Sequence, residues 1–208
     1  DSDFAPNIIE KLHNYNVLKQ IIPNISGTKS FQTIIQIENK VNDPNISAFR
    51  SIRRLAALMD FDCSQTEEIS TALNLSKTEI HHLSQLASLI KKVNINHKKA
   101  DLTRILYKYS KNALIDSILV KYSKQYSNVR NQLVPGEKGW LRIIDIIRTI
   151  NEDTLVFPLK GQDAINLGIP AGPQISKFLK LTEVWWLTKG CKATRDECLI
   201  KLRYLINK

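Results

Sequence analysis

The sequence predicts an all-α fold, a multi-helical body followed by a smaller helical tail. Three observations predict it. Apolar residues recur at i, i+3, i+4 and i+7 along most of the chain. Helix-start signals of the Ser/Thr-x-x-Glu kind precede several of these stripes. Glycine and proline, the residues that break helices, gather in a few places.

The elements follow in order. Asp3 with Pro6 opens a first helix to about Gln20, and Thr28 to Val41 forms a second. Asp43-Pro44 is an N-cap and N1 pair for a third helix that runs to Met59. Ser64-Gln-Thr-Glu67 and Ser76-Lys-Thr-Glu79 are capping boxes. The second box opens a helix with the stripe Leu83, Leu86, Ala87 and Ile90. The same spacing returns in Leu102, Ile105, Leu106 and Tyr109, in Ile115, Ile118, Leu119 and Tyr122, and in Trp140, Ile143, Ile144 and Ile147. Asn131 to Gly139 holds Pro135 and Gly136 and reads as a linker, and Thr154 to Leu159 reads as extended. A last helix opens with the box Thr194-Arg-Asp-Glu197. The predicted division is 1–60 and 61–130 for the body and 135–208 for the tail.

Composition narrows the function. Hydrophobic residues make up 43% of the 208, and no apolar run approaches the ~18 residues of a membrane span. No signal peptide is visible at the start, where Asp1 stands instead of Met, so the chain reads as a fragment or a processed product. The three cysteines, Cys63, Cys191 and Cys198, form no CxxC and no zinc pattern, so reduced thiols in a cytoplasmic protein are expected. The net charge is +10. Residues 1–62 carry seven basic and seven acidic side chains, residues 63–127 ten and five, and residues 128–208 thirteen and eight. A basic excess in the last two thirds points to a polyanion, most simply nucleic acid; the alternative is a plain basic surface.

Three places could grip such a partner. In the tail, Gly168 suits a left-handed helix stop, and Gly172-Pro173 suits a restart with proline at the first helical position. A helix start exposes N–H groups that favour an anion. Lys160 lies just before this turn, and Lys177 and Lys180 lie just after it. The turn therefore reads either as a phosphate holder or as a purely structural joint. From Arg104 to Tyr126, bases and tyrosines interleave. Arg104, Tyr107, Lys108 and Lys111 lie opposite an apolar stripe, while Lys121 and Lys124 flank the Tyr122/Tyr126 core face. These bases are either a phosphate-tracking stripe or a solvated face. Finally, Trp185 and Trp186 sit ~100° apart on one helix, so Trp186 is expected in the core; half exposure is the alternative for Trp185, with core packing the expectation for the pair. His81 and His82 have no partner at ligand spacing and receive no catalytic role; His81 falls on a polar face.

One segment carries a family resemblance. Lys160-Gly-Gln-Asp163, Leu167-Gly-Ile-Pro-Ala-Gly-Pro173 and the pair Trp185-Trp186 resemble the C-terminal signature of class II CCA-adding enzymes and the related bacterial poly(A) polymerases. Its residues here are Gly161, Asp163, Gly168, Gly172, Pro173, Trp185 and Trp186. Ile21-Ile-Pro-Asn-Ile25 and Arg53-Arg-Leu-Ala-Ala-Leu58 resemble the late neck and first body helices of that family. The resemblance implies a tRNA partner, gripped along the acceptor arm and elbow. It also implies a catalytic head, in cis or in trans, that would hold Mg and take CTP and ATP. This chain lacks the residues for that chemistry, so no cofactor is expected in it. Glu152-Asp153 lacks the arginine of the family's nucleotide-reading motif. Asp1-Ser-Asp3 and Asp60-Phe-Asp62 lack the strand and glycine turn of a metal site, and Gly27-Thr-Lys-Ser30 is only half a P-loop and fits a helix cap. The other readings are the RNA-binding part of a poly(A) polymerase and a headless helical module for a protein partner.

Overall fold

The computed structural model describes residues 5–22, 25, 27–41, 48–59, 66–127 and 137–208. Twelve α-helices fall among them: α1 (Ala5–Asn14), α2 (Val17–Ile21), α3 (Lys29–Val41), α4 (Arg50–Leu58), α5 (Thr66–Ala72), α6 (Lys77–Ile90), α7 (Lys99–Leu106), α8 (Lys111–Tyr126), α9 (Glu137–Arg148), α10 (Gly161–Asn166), α11 (Pro173–Thr188) and α12 (Arg195–Ile206). The only extended pairing among the described residues is an isolated bridge between Ile25 and Met59. The fold is all-α.

Contacts divide the chain into two units, each interrupted in sequence. The first comprises Asp1–Asn96 and Tyr109–Ile146; the second comprises His97–Lys108 and Ile147–Lys208. A sequential division at the Pro135-Gly136 segment keeps α7 with the body, whereas contacts group α7 with α10, α11 and α12.

The first unit is built round α8. Every residue from Ala113 to Val120 is buried there, and α3, α4 and α6 all pack on it. A helix covered on all sides needs apolar residues all round instead of one stripe. Its start is capped by Ser110, whose Oγ accepts the Ala113 amide at 3.3 Å. The second unit has its own core of Leu159, Ala164, Ile169, Trp186, Cys198 and Leu202, with Tyr107 packed against it.

Local chemistry explains the boundaries. Both described capping boxes form: the Ser76 amide donates to Glu79 at 2.8 Å, and the Thr194 amide donates to Glu197 at 2.7 Å. The Gly-Thr-Lys-Ser segment starts α3, since the Thr28 carbonyl accepts from Gln32 and Ser30 Oγ donates to the Ala57 carbonyl at 2.8 Å. The expected first helix is broken. Asn16 takes the left-handed conformation at φ 59°, which asparagine tolerates, and separates α1 from α2. The expected Leu102–Tyr109 stripe ends early, because α7 stops at Leu106. A 3-10 turn, Glu152–Thr154, capped by Asn151, leads into the segment expected to be extended, Thr154 to Leu159. Gly139, expected in the linker, lies inside α9 against Ile95. The Asp43-Pro44 pair, Ser64, Cys63, Pro135, Gly136 and both Asp-x-Asp triplets lie outside the described residues.

Candidate nucleic-acid interface

The turn between α10 and α11 is built as its sequence suggests. Gly168 has φ +90°, and the Ile169 amide donates to the Ala164 carbonyl while Gly168 donates to Ile165, the double closure of a left-handed helix stop. Gly172 has φ +147° with open space where a Cβ would stand, so conformation, not crowding, calls for glycine there. Pro173 begins α11.

Asp163 holds this region together. Its Oδ2 accepts the Lys160 amide at 2.7 Å and so caps α10. Arg195, the first residue of α12, donates to both oxygens, to Oδ1 from Nη2 at 2.6 Å and to Oδ2 from Nη1 at 3.1 Å. Gly161 starts α10 beside Ile175 of α11. The Lys160-Gly-Gln-Asp163 motif is thus a joint that ties α10 to the start of α12. The Arg195 hydrogen bonds, and then the Lys160 amide, hold the Asp163 carboxyl below its usual range.

A pH prediction follows, with its sign. A depressed folded value means stability that is present above the unfolded aspartate value of about 3.9 and is lost as pH falls through the lower, folded value. Thermal melts of the wild type and of Asp163→Asn are expected to differ most near neutral pH. The gap should close below about pH 4. A gap that is constant from neutral to acid pH would show that the charge of Asp163 is not what stabilises.

The predicted basic residues fall into two sets. Lys177, one turn into α11, is exposed near the α10–α11 turn, whereas Lys160, also exposed, caps the far end of α10 and not the turn as expected. Lys180 binds Glu183 at 2.5 Å, and the second Glu183 oxygen accepts the Tyr107 hydroxyl at 2.5 Å. Partial burial pushes the Glu183 carboxyl up. Hydrogen bonds from Lys180 and Tyr107, with the charges of Lys180 and Lys108, outweigh it and bring the carboxyl below its ordinary value. One glutamate thereby gathers bases from α11 and from the end of α7. Arg104, also on α7, pairs with Asp101 one turn earlier. All five bases belong to the second unit.

Lys111, Lys121 and Lys124 belong to the first unit. Lys111 is half-buried at the start of α8. Lys121 donates to the Val93 carbonyl at 2.6 Å, and burial pushes its ammonium below the usual value. Lys124 donates to the Met59 carbonyl. Both ammonium groups close the ends of neighbouring helices, so neither forms the exposed stripe that interleaving suggested. Tyr107 also departs from the expected polar face. It is half-buried, edge-on to Trp186 at 5.3 Å. Trp186 is 2% exposed, and Trp185 is half-buried with Lys189 over its ring at 5.8 Å.

Sequence reasoning missed a buried charge network in the first unit. His82 Nε2 lies 2.8 Å from Asp116 Oδ2, and Asp116 Oδ1 accepts from Arg53 Nη1 at 2.7 Å. Arg53 Nε continues to Glu38 at 2.8 Å, and Arg54 meets the other Glu38 oxygen at 2.9 Å. Phe49 stacks on the His82 ring, centroids 3.9 Å apart. The signal was present: Asp116 is the lone charge in the run from Ala113 to Val120, and His82 adjoins the Leu83/Leu86 stripe. Among the described residues, no group of three or more His, Cys, Asp or Glu is placed to hold a metal ion, and no helix is long and apolar enough to cross a membrane.

No family model matches the chain, and no curated protein and no solved structure matches it. What the basic surface can do therefore rests on its own residues. Fourteen Lys/Arg against seven Asp/Glu give the second unit +7, whereas sixteen against thirteen give the larger first unit only +3.

Proposed function

We propose that this chain is the tRNA-binding helical part of a CCA-adding nucleotidyltransferase, with the second unit supplying the phosphate-gripping face. The observation that carries the reading is the concentration of charge: +7 on the small unit that also contains the family-like tail motif. Duplex RNA is read largely by shape and phosphates, which suits bases carried on rigid helices. Lys160 at the start of α10 and Lys177 on α11 would meet the backbone, with Lys108 supplied just past the end of α7. The chemistry of addition, with its metal ions and nucleoside triphosphates, would belong to a separate catalytic head. A poly(A) polymerase parent would use the same surface.

The test is affinity for tRNA against unstructured RNA of equal length over a range of salt. A preference for tRNA that falls steeply with salt is expected. Lys160→Ala with Lys177→Ala should weaken tRNA binding and flatten the log–log salt slope by about two, one per lost phosphate contact. Unchanged affinity and slope in the double variant would sink the assignment of the turn. No tRNA binding at low salt would favour a module for a protein partner.

A further inference from the structure

The outward face of α12 carries an aromatic that the second unit's core does not use. Tyr204 is 58% exposed and Ile200, one turn earlier, is 68% exposed. Core contacts on this helix come instead from Cys198 and Leu202. The Lys201 ammonium sits 4.8 Å from the Tyr204 ring centroid, so the ring already holds one cation. Arg203 and Lys208 are exposed at the same end of the helix. The acids of α12, Asp196 and Glu197, are confined to its first turn, and Glu197 is engaged in the Thr194 cap.

We infer that this face is a stacking platform for an unpaired base of single-stranded RNA, with Tyr204 as the base-contacting ring and Lys201, Arg203 and Lys208 drawing in the flanking phosphates. The inference rests on the RNA-binding reading of the second unit but concerns unpaired bases, which the duplex grip at Lys160 and Lys177 does not address. Two features favour this occupant. The charged residues of α12 and its end from Ile200 onward, Lys201, Arg203 and Lys208, are all positive, which complements a phosphate backbone. The exposed large hydrophobics of α12 are two side chains, Ile200 and Tyr204, too few for the ~800 Å² per partner of a stable protein interface.

The experiment uses the full 208-residue chain and two probes: an oligoadenylate of about ten nucleotides, and inorganic polyphosphate, which has charge but no base. Tyr204→Ala is expected to lose about 5- to 150-fold in oligoadenylate affinity, the range for removing one stacked aromatic. Tyr204→Phe should bind as the wild type, and polyphosphate affinity should be the same for all three. Circular dichroism checks that the variants fold, which the exposure of the ring favours. The inference is overturned if Tyr204→Ala binds oligoadenylate like the wild type, if it loses polyphosphate equally, or if the wild type shows no affinity for oligoadenylate. The tRNA reading fails on separate data, an unchanged salt slope in the Lys160/Lys177 double variant.

Discussion

Replacing Asp116 by alanine is expected to destabilise the first unit by about 3–5 kcal/mol. The carboxylate receives Arg53 and faces His82, and Arg53 is itself 1% exposed. Its removal takes one of the two carboxylates away from the buried Arg53 guanidinium and leaves the buried His82 imidazole without its acid. An uncompensated buried charge costs far more than the lost attraction of an exposed pair. Replacing Arg53 and Asp116 together, as Arg53→Met with Asp116→Leu, should recover much of the loss, because a well-packed apolar pair needs no desolvation of charge. Urea unfolding measures both. A loss below about 1 kcal/mol for Asp116→Ala would place the network with ordinary surface pairs.

Trp186→Ala is expected to cost the second unit about 3–5 kcal/mol. The indole is the largest fully buried side chain of its core. Its Nε1 donates to the Ala193 carbonyl at 3.1 Å, and Tyr107 and Phe157 meet it edge-on, with centroids 5.3 and 5.7 Å away. Truncation opens a cavity and leaves that carbonyl only the weak Cys198 thiol donor at 4.0 Å. A unit of this size holds about 4–11 kcal/mol in all at 0.05–0.15 kcal/mol per residue, so most of its margin would go. Trp140 lies in the first unit and Trp185 in the second, so fluorescence can follow each unit. The expected trace is early unfolding reported by Trp185 while Trp140 keeps its wild-type midpoint. On the proposed function, tRNA affinity falls with the second unit. Full retention of the Trp185 transition would show that the core tolerates the cavity.

Legibility differed from residue to residue. The boxes at Ser76 and Thr194 were readable because each closes within four residues. The Gly168 stop and the Pro173 start were readable for the same reason. Trp186 was placed in the core by periodicity alone. The Asn16 break was not read, since asparagine only permits a left-handed residue and does not demand one. Lys121 and Lys124 looked like an exposed stripe, because their partners, the carbonyls of Val93 and Met59, are 28 and 65 residues away. Asp163 was read as a motif residue, but its role as the joint between α10 and α12 depends on Arg195, 32 residues on.

From residue order alone came the helical class, most helix starts and stops, the basic bias and the residues worth testing. These depend on interactions within one or two turns, where spacing dictates geometry. Packing decided the rest: that α7 joins the tail helices, that Glu183 gathers Tyr107, Lys108 and Lys180, and that His82, Asp116, Arg53 and Glu38 form one buried chain. Each of these joins side chains distant in sequence, and only the burial of apolar faces brings them together. A charge shows its partner only after the chain has folded round it.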